Sequence, residues 1–140
     1  MKIRKNKFIG VIIHHTATPE TTTMEQLLNI FKKKGYATYG YNFIIKRNMN
    51  TNEASIKKGR DLKYIGAHTY IESVAKAKSD KLAKGNRNYY NENFFSIALM
   101  GNYEKYDIDI LTIKKCKMCK KTCIYFYIND TMKLVIENAI

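Results

Sequence analysis

Proline is nearly absent: Pro19 is the only one in 140 residues. With no Pro-, Gly- or Ser-rich stretch, nothing reads as a linker, and a single domain over residues 1–140 is expected. No internal repeat is present. Apolar runs fall well short of the roughly 20 residues a membrane helix needs, so no span is expected. A basic start (Lys2, Arg4, Lys5, Lys7) precedes the apolar run Phe8 to Ile13. That run is shorter than most signal-peptide cores and lacks a small-residue cleavage site, so no signal peptide is read. Cysteines number three, an odd count that argues against a disulfide framework. Acidic residues are scarce, 12 against 25 basic ones, for a net charge of +13. Such a surface attracts polyanions: nucleic acid, anionic cell wall or anionic lipid. Most of its cations are lysines, which suit non-specific attraction better than bidentate readout.

The stretch Phe8 to Thr18, FIGVIIHHTAT, organises the rest. Val11, Ile12 and Ile13 are β-branched and read as a buried strand. His14 and His15 follow at once. Successive strand side chains point to opposite faces, so one imidazole can face a site while the other faces elsewhere. Thr21 to Lys34 reads as a helix with a threonine N-cap and Gly35 at C′. Tyr39 to Lys46 reads as a strand, joined by a turn to a short strand at Glu53 to Lys57. Asp61 to Thr69 is a loop, Tyr70 to Lys84 a helix, and Gly85 to Asn93 a polar loop. Phe94 to Met100 is another core strand. Ile108 to Ile128 is a long helical candidate, and Lys133 to Ile136 a final edge strand. This order predicts an α/β fold, a central mixed β-sheet flanked by helices.

Four segments, in order, carry a resemblance: VIIHHTAT at 11–18, GYNFIIKRN at 40–48, KGRDLKYIGAH at 58–68 and YNENFFSIALMGNYE at 90–104. Together they resemble the zinc-dependent N-acetylmuramoyl-L-alanine amidases of type 2, a family that includes the peptidoglycan recognition proteins. The resemblance implies a groove above the sheet and peptidoglycan as substrate. It implies hydrolysis of the amide between N-acetylmuramic acid and L-alanine of the stem peptide. His14 matches a zinc ligand and Tyr41 the tyrosine that assists the reaction. His15, Thr16, Arg60, His68, Asn91 and Asn93 match positions that line the groove. Zinc lowers the pKa of bound water to about 7 and polarises the carbonyl. A catalytic zinc takes three protein ligands and keeps a fourth position open.

The family's two later ligands are a histidine and then a cysteine or aspartate. No histidine follows His68, and Glu137 stands about where the second ligand belongs. Three readings follow: a domain truncated at its C-terminus, a wall-recognition protein that has lost zinc, or a re-made site using Glu137, His15 or a cysteine. Cys116, Cys119 and Cys123 are read as core residues on one helix face with Ile113 and Phe126 or Tyr127. Residues 69–88 are longer than the family's usual connection and lysine-rich. They are read as a solvated helix or as a basic flap for anionic wall polymers. Peptidoglycan is the expected partner, nucleic acid is not, and a monomer is expected. Without an export signal, such an enzyme stays cytoplasmic until lysis releases it to the wall, as for a phage product.

Overall fold

The computed structural model describes residues 1–51 and 53–102, and the strands Ile124–Ile128 and Met132–Ile136 at the level of the backbone. The strand predicted around Val11 forms β1, Gly10–His15. It lies inside a six-stranded sheet of order β3-β2-β4-β1-β5-β6. Here β2 is Phe43–Arg47, β3 Ala54–Lys58, β4 Phe94–Leu99, β5 Ile124–Ile128 and β6 Met132–Ile136. The pairs β2–β4, β4–β1 and β1–β5 are parallel, whereas β2–β3 and β5–β6 are antiparallel hairpins. The sheet is mixed, as the sequence predicted. Every residue of β4 is buried. Parallel neighbours on both sides explain its unbroken apolar run, FFSIAL.

Alternation along the strands makes two cores. Val11, Ile13, Ile45, Phe95, Ile97 and Leu99 fill one face, with Phe8 and Phe43 at its margin. Ile44, Ala98 and Met100 face the other way, onto Leu27 and Phe31 of the first helix. That helix, α1, spans Met24–Lys33. Thr23 caps it through a capping box with Gln26. Gly35 closes it at φ 85°, a left-handed value that glycine adopts without penalty.

Three stretches differ from expectation. The helix predicted at Tyr70 to Lys84 is shortened to α2, Val74–Ser79. Asp80 ends it, because its carboxylate accepts from the Leu82 and Ala83 amides and turns the chain. The polar loop at Gly85 to Asn93 contains one helical turn, α3, Tyr89–Asn93. The long helix predicted at Ile108 to Ile128 is a strand over its last five residues, IYFYI. Those β-branched and aromatic side chains favour a pleated surface, and β1 offers an open parallel edge to them. Of the residues expected on the cysteines' helix face, Phe126 and Tyr127 lie in this strand. Cys116, Cys119, Cys123 and Glu137 lie outside the described residues.

Candidate functional site

His14 and His15 occupy the last two positions of β1, opposite Ala98 and Leu99 of β4. The pleat separates them. His14 shares its face with Ala98, on the side of α1, and His15 falls on the opposite face. A turn follows in which Ala17 takes φ 54°. It brings the Thr16 and Thr18 hydroxyls to 2.7 Å. The Thr16 hydroxyl also accepts from the Gly101 amide at 3.0 Å. Thr16 thus ties the end of β1 to the end of β4.

Three of the predicted residues meet. The rings of His14 and Tyr41 lie 5.4 Å apart, and those of His14 and His68 5.2 Å apart. Phe31 of α1 backs Tyr41 edge-on at 5.4 Å. His14 Nε2 stands 3.1 Å from His68 Nδ1. Thr69, which sequence reasoning missed, adds its hydroxyl at 3.1 Å from His68 Nδ1 and 3.2 Å from His14 Nε2. A hydroxyl beside a loop histidine carries no periodic signal. The only clue was its adjacency to the GAH motif.

The loop that carries His68 is held on several sides. Asn91, 2% exposed, accepts the His68 and Thr69 amides at its Oδ1, both at 2.9 Å. Its carbonyl accepts the Gly66 amide. A Cβ at Gly66 would come within 2.6 Å of the His68 ring, so glycine is needed for the imidazole to lie down there. Arg60 is 7% exposed and turned inward. It donates to the carbonyls of Tyr39 at 2.8 Å and Ile65 at 3.2 Å. Asn93 donates to the Tyr89 carbonyl and accepts from Asn6. Arg4, also missed, donates to the carbonyls of Leu62, Tyr64 and Glu92, and so straps the N-terminal segment over the loop.

Electrostatics follow from this packing. Burial, then the neighbouring His15, lowers the His14 pKa to about 4. Burial, then His14, lowers that of His68 to about 3. Both imidazoles are neutral near pH 7. Burial, then Tyr36, raises the pKa of Tyr41, so its phenol keeps the proton and can donate it to a hydrogen bond. Among the described residues, no three His, Cys, Asp or Glu side chains gather closely enough to share a metal ion. No described helix is long and apolar enough to cross a membrane.

The family described as N-acetylmuramoyl-L-alanine amidase matches residues 4–133. No curated protein matches the chain. Among solved structures, the chain is similar to the N-acetylmuramoyl-L-alanine amidase LysC from Clostridium intestinale URNW. Identity is 21% and the TM-score 0.53, over 76% of this chain and 56% of that one. The endolysin amidase LysCS from the same organism is 21% identical at TM-score 0.55, over 81% and 60%. PGRP-SA from Apis mellifera is 19% identical at TM-score 0.61, over 95% and 79%. The chain therefore spans less than two thirds of the length of the two Clostridium amidases. At these identities the likeness is one of fold.

Proposed function

Because the chain belongs to the N-acetylmuramoyl-L-alanine amidase family, we propose that it binds the stem peptide of peptidoglycan at the hollow shared by His14, Tyr41 and His68. We further propose that it acts on the amide between N-acetylmuramic acid and L-alanine. The observation that carries this reading is the convergence of those three side chains, drawn from β1, the segment before β2 and the GAH loop. In acyl transfer, negative charge develops on the carbonyl oxygen. A protonated phenol held in a half-buried site stabilises that charge by donating to it. Tyr41 has the protonation state for this role, and Phe31 and His14 fix its ring. The two neutral imidazoles offer polar edges to an amide without placing a buried charge beside it.

The family is zinc-dependent, and a catalytic zinc takes three protein ligands. The described residues do not supply that set: His14 is present, the sequence has no histidine beyond His68, and no third His, Cys, Asp or Glu joins the pair. No step is therefore routed through zinc. Recognition of the muropeptide rests on the hollow itself. The phage-type setting, with action at the wall after lysis, stays part of the proposal.

The test is release of free L-alanine amino termini from purified peptidoglycan, alongside co-sedimentation with the same walls. Tyr41→Phe is expected to lower release by about 100-fold, the usual loss for one oxyanion donor, and to leave co-sedimentation within about twofold of wild type. Walls that bind but are not cut by the wild-type chain would assign it to recognition instead. Walls that are neither bound nor cut would end the proposal.

Residues 69–88 carry Lys76, Lys78, Lys81, Lys84 and Arg87. Arg87 is engaged with the Ile71 and Glu72 carbonyls and stacks on Tyr70, and Lys76 pairs with Glu72. Lys78, Lys81 and Lys84 are the cations we assign to anionic wall polymers. Changing these three to glutamine is expected to weaken wall binding severalfold at low salt and to flatten its salt dependence. Identical salt curves for the variant and the wild type would remove this role.

A further inference from the structure

We propose that the hairpin β2–β3 carries a binding site for a phosphate group, formed by Lys46, Ser55 and Lys57 with Thr21 of the segment leading into α1. The register of the hairpin brings the first three together. Lys46 stands opposite Ser55, and Lys57 opposite Ile44. Opposed residues point to the same face, and so do residues two apart on one strand. Lys46, Ser55 and Lys57 therefore share the face of Ile44, which packs towards α1. Lys46 and Lys57 are diagonal neighbours there, a separation of about 7–8 Å that long side chains span. A cleft of about 360 Å³ opens between this face and the chain before α1, and Thr21, Lys46, Ser55 and Lys57 line it. None of His14, Tyr41 and His68 lines it, so the site does not depend on what occupies their hollow.

The hold on the Lys46 ammonium is the second observation. It donates to the carbonyls of Glu20 at 3.1 Å and Thr22 at 2.7 Å. An ammonium has three N–H groups, so one is left for a ligand, on a side chain already fixed in place. Fixing a donor before binding lowers the entropy lost on binding. Burial lowers the pKa of Lys46; Glu20 opposes this and Lys57 adds to it, so the two cations feel one another. The Glu20 carboxylate is taken up by Arg47, at 2.7 Å. An anion between the two ammonium groups turns their repulsion into two attractions. Two ammonium groups and two hydroxyls reach the cleft from three segments of chain. That spread of point donors suits the tetrahedral oxygens of phosphate better than the two coplanar oxygens of a carboxylate, which match the fork of an arginine. Free phosphate and a phosphodiester chain present the same chemistry here.

The experiment is an NMR titration of the full chain with inorganic phosphate at constant ionic strength, with sodium chloride as the reference salt. Saturable shifts are expected at the amides of Thr21, Ser55 and Lys57. Lys57→Gln, at an exposed position, is expected to weaken binding about fivefold, the effect of losing one exposed charge contact. Ser55→Ala is expected to weaken it about threefold. The variant with Lys78, Lys81 and Lys84 changed to glutamine is expected to bind phosphate as the wild type does, which separates this site from the cations of residues 69–88. A glycerol-phosphate polymer added to the phosphate-loaded chain tells the two sources apart. Displacement of phosphate identifies a chain-borne group and no displacement a free one, and either answer keeps the site. Shifts that follow chloride as closely as phosphate would show screening of a basic surface and overturn the proposal. So would wild-type phosphate affinity in a folded Lys57→Gln chain.

Discussion

Asn42→Leu is expected to cost on the order of 3–5 kcal/mol, enough to unfold a large fraction of a domain of ordinary stability. Asn42 is 1% exposed and sits just before β2, between the strand that follows it and β4. Its side-chain carbonyl accepts the Ser96 amide at 2.9 Å, and its side-chain amide donates to the Arg60 carbonyl at 3.0 Å. Its own backbone amide donates to the Ser96 hydroxyl at 3.1 Å. Leucine fills the volume but leaves the Ser96 N–H and the Arg60 carbonyl buried without these partners. Each orphaned group costs about 1–3 kcal/mol. Ser96→Ala orphans one group, the buried Asn42 backbone N–H, and should cost about 1–3 kcal/mol, less than Asn42→Leu. Urea unfolding followed by circular dichroism checks both. An unchanged midpoint for Asn42→Leu would mean that the pair does not bridge the strands in solution. Because Tyr41 precedes Asn42, loss of this bridge should also blunt any activity that depends on the phenol.

Acidification is the second large effect. The folded chain holds His14 and His68 neutral, with pKa values lowered to about 4 and about 3, first by burial. In the unfolded chain both titrate near 6.5. Between those limits the unfolded state binds protons that the folded state refuses. Stability from these groups is therefore complete above pH 6.5 and falls as the pH drops towards 4. His15 beside His14, and Arg4 and Arg60 near His68, add positive charge that opposes protonation further. Tyr41, the remaining titratable ring against His14, stays neutral throughout this range. With two rings, each taken about two pH units below its unfolded pKa and each unit worth about 1.4 kcal/mol, the loss is expected to be on the order of 5 kcal/mol by pH 4.5. The lowered carboxyl of Asp80, hydrogen-bonded by Tyr90, loses its contribution only below its ordinary value of 3.8, outside this window. Thermal unfolding at pH 7 and pH 4.5 measures the effect. His68→Gln should roughly halve the difference. A wild-type melting temperature that does not move between these pH values would contradict the buried, neutral pair.

Much of the scaffold was legible because its signals are local. The β-branched run of β1, the unbroken apolar run of β4, the threonine cap and Gly35 of α1 each report a preference of adjacent residues. Local signals misled at IYFYI, where helical spacing counted from the upstream cysteines outweighed five strand-forming side chains. What decided the matter was a free edge on β1, a partner more than 100 positions away in sequence that no window reveals. The site divides the same way. That His14, Tyr41 and His68 belong together came from the order of the four resembling segments, not from any periodicity. Thr69 and Arg4 went unseen because their roles exist only once the loop is folded against β1. Asn91 was expected in the groove. Its amide group is spent on the loop backbone, where it sets the position of His68.

The place of β1 in the sheet has a consequence for synthesis. Among the described strands it comes first in the chain, yet its two neighbours, β4 and β5, begin at residues 94 and 124. A nascent chain must keep GVIIHH uncovered until most of its length has been translated. Assembly is then dominated by distant pairings, which are slow and expose sticky strands meanwhile. The topology therefore leaves an apolar strand exposed to off-pathway association for as long as its partners are missing.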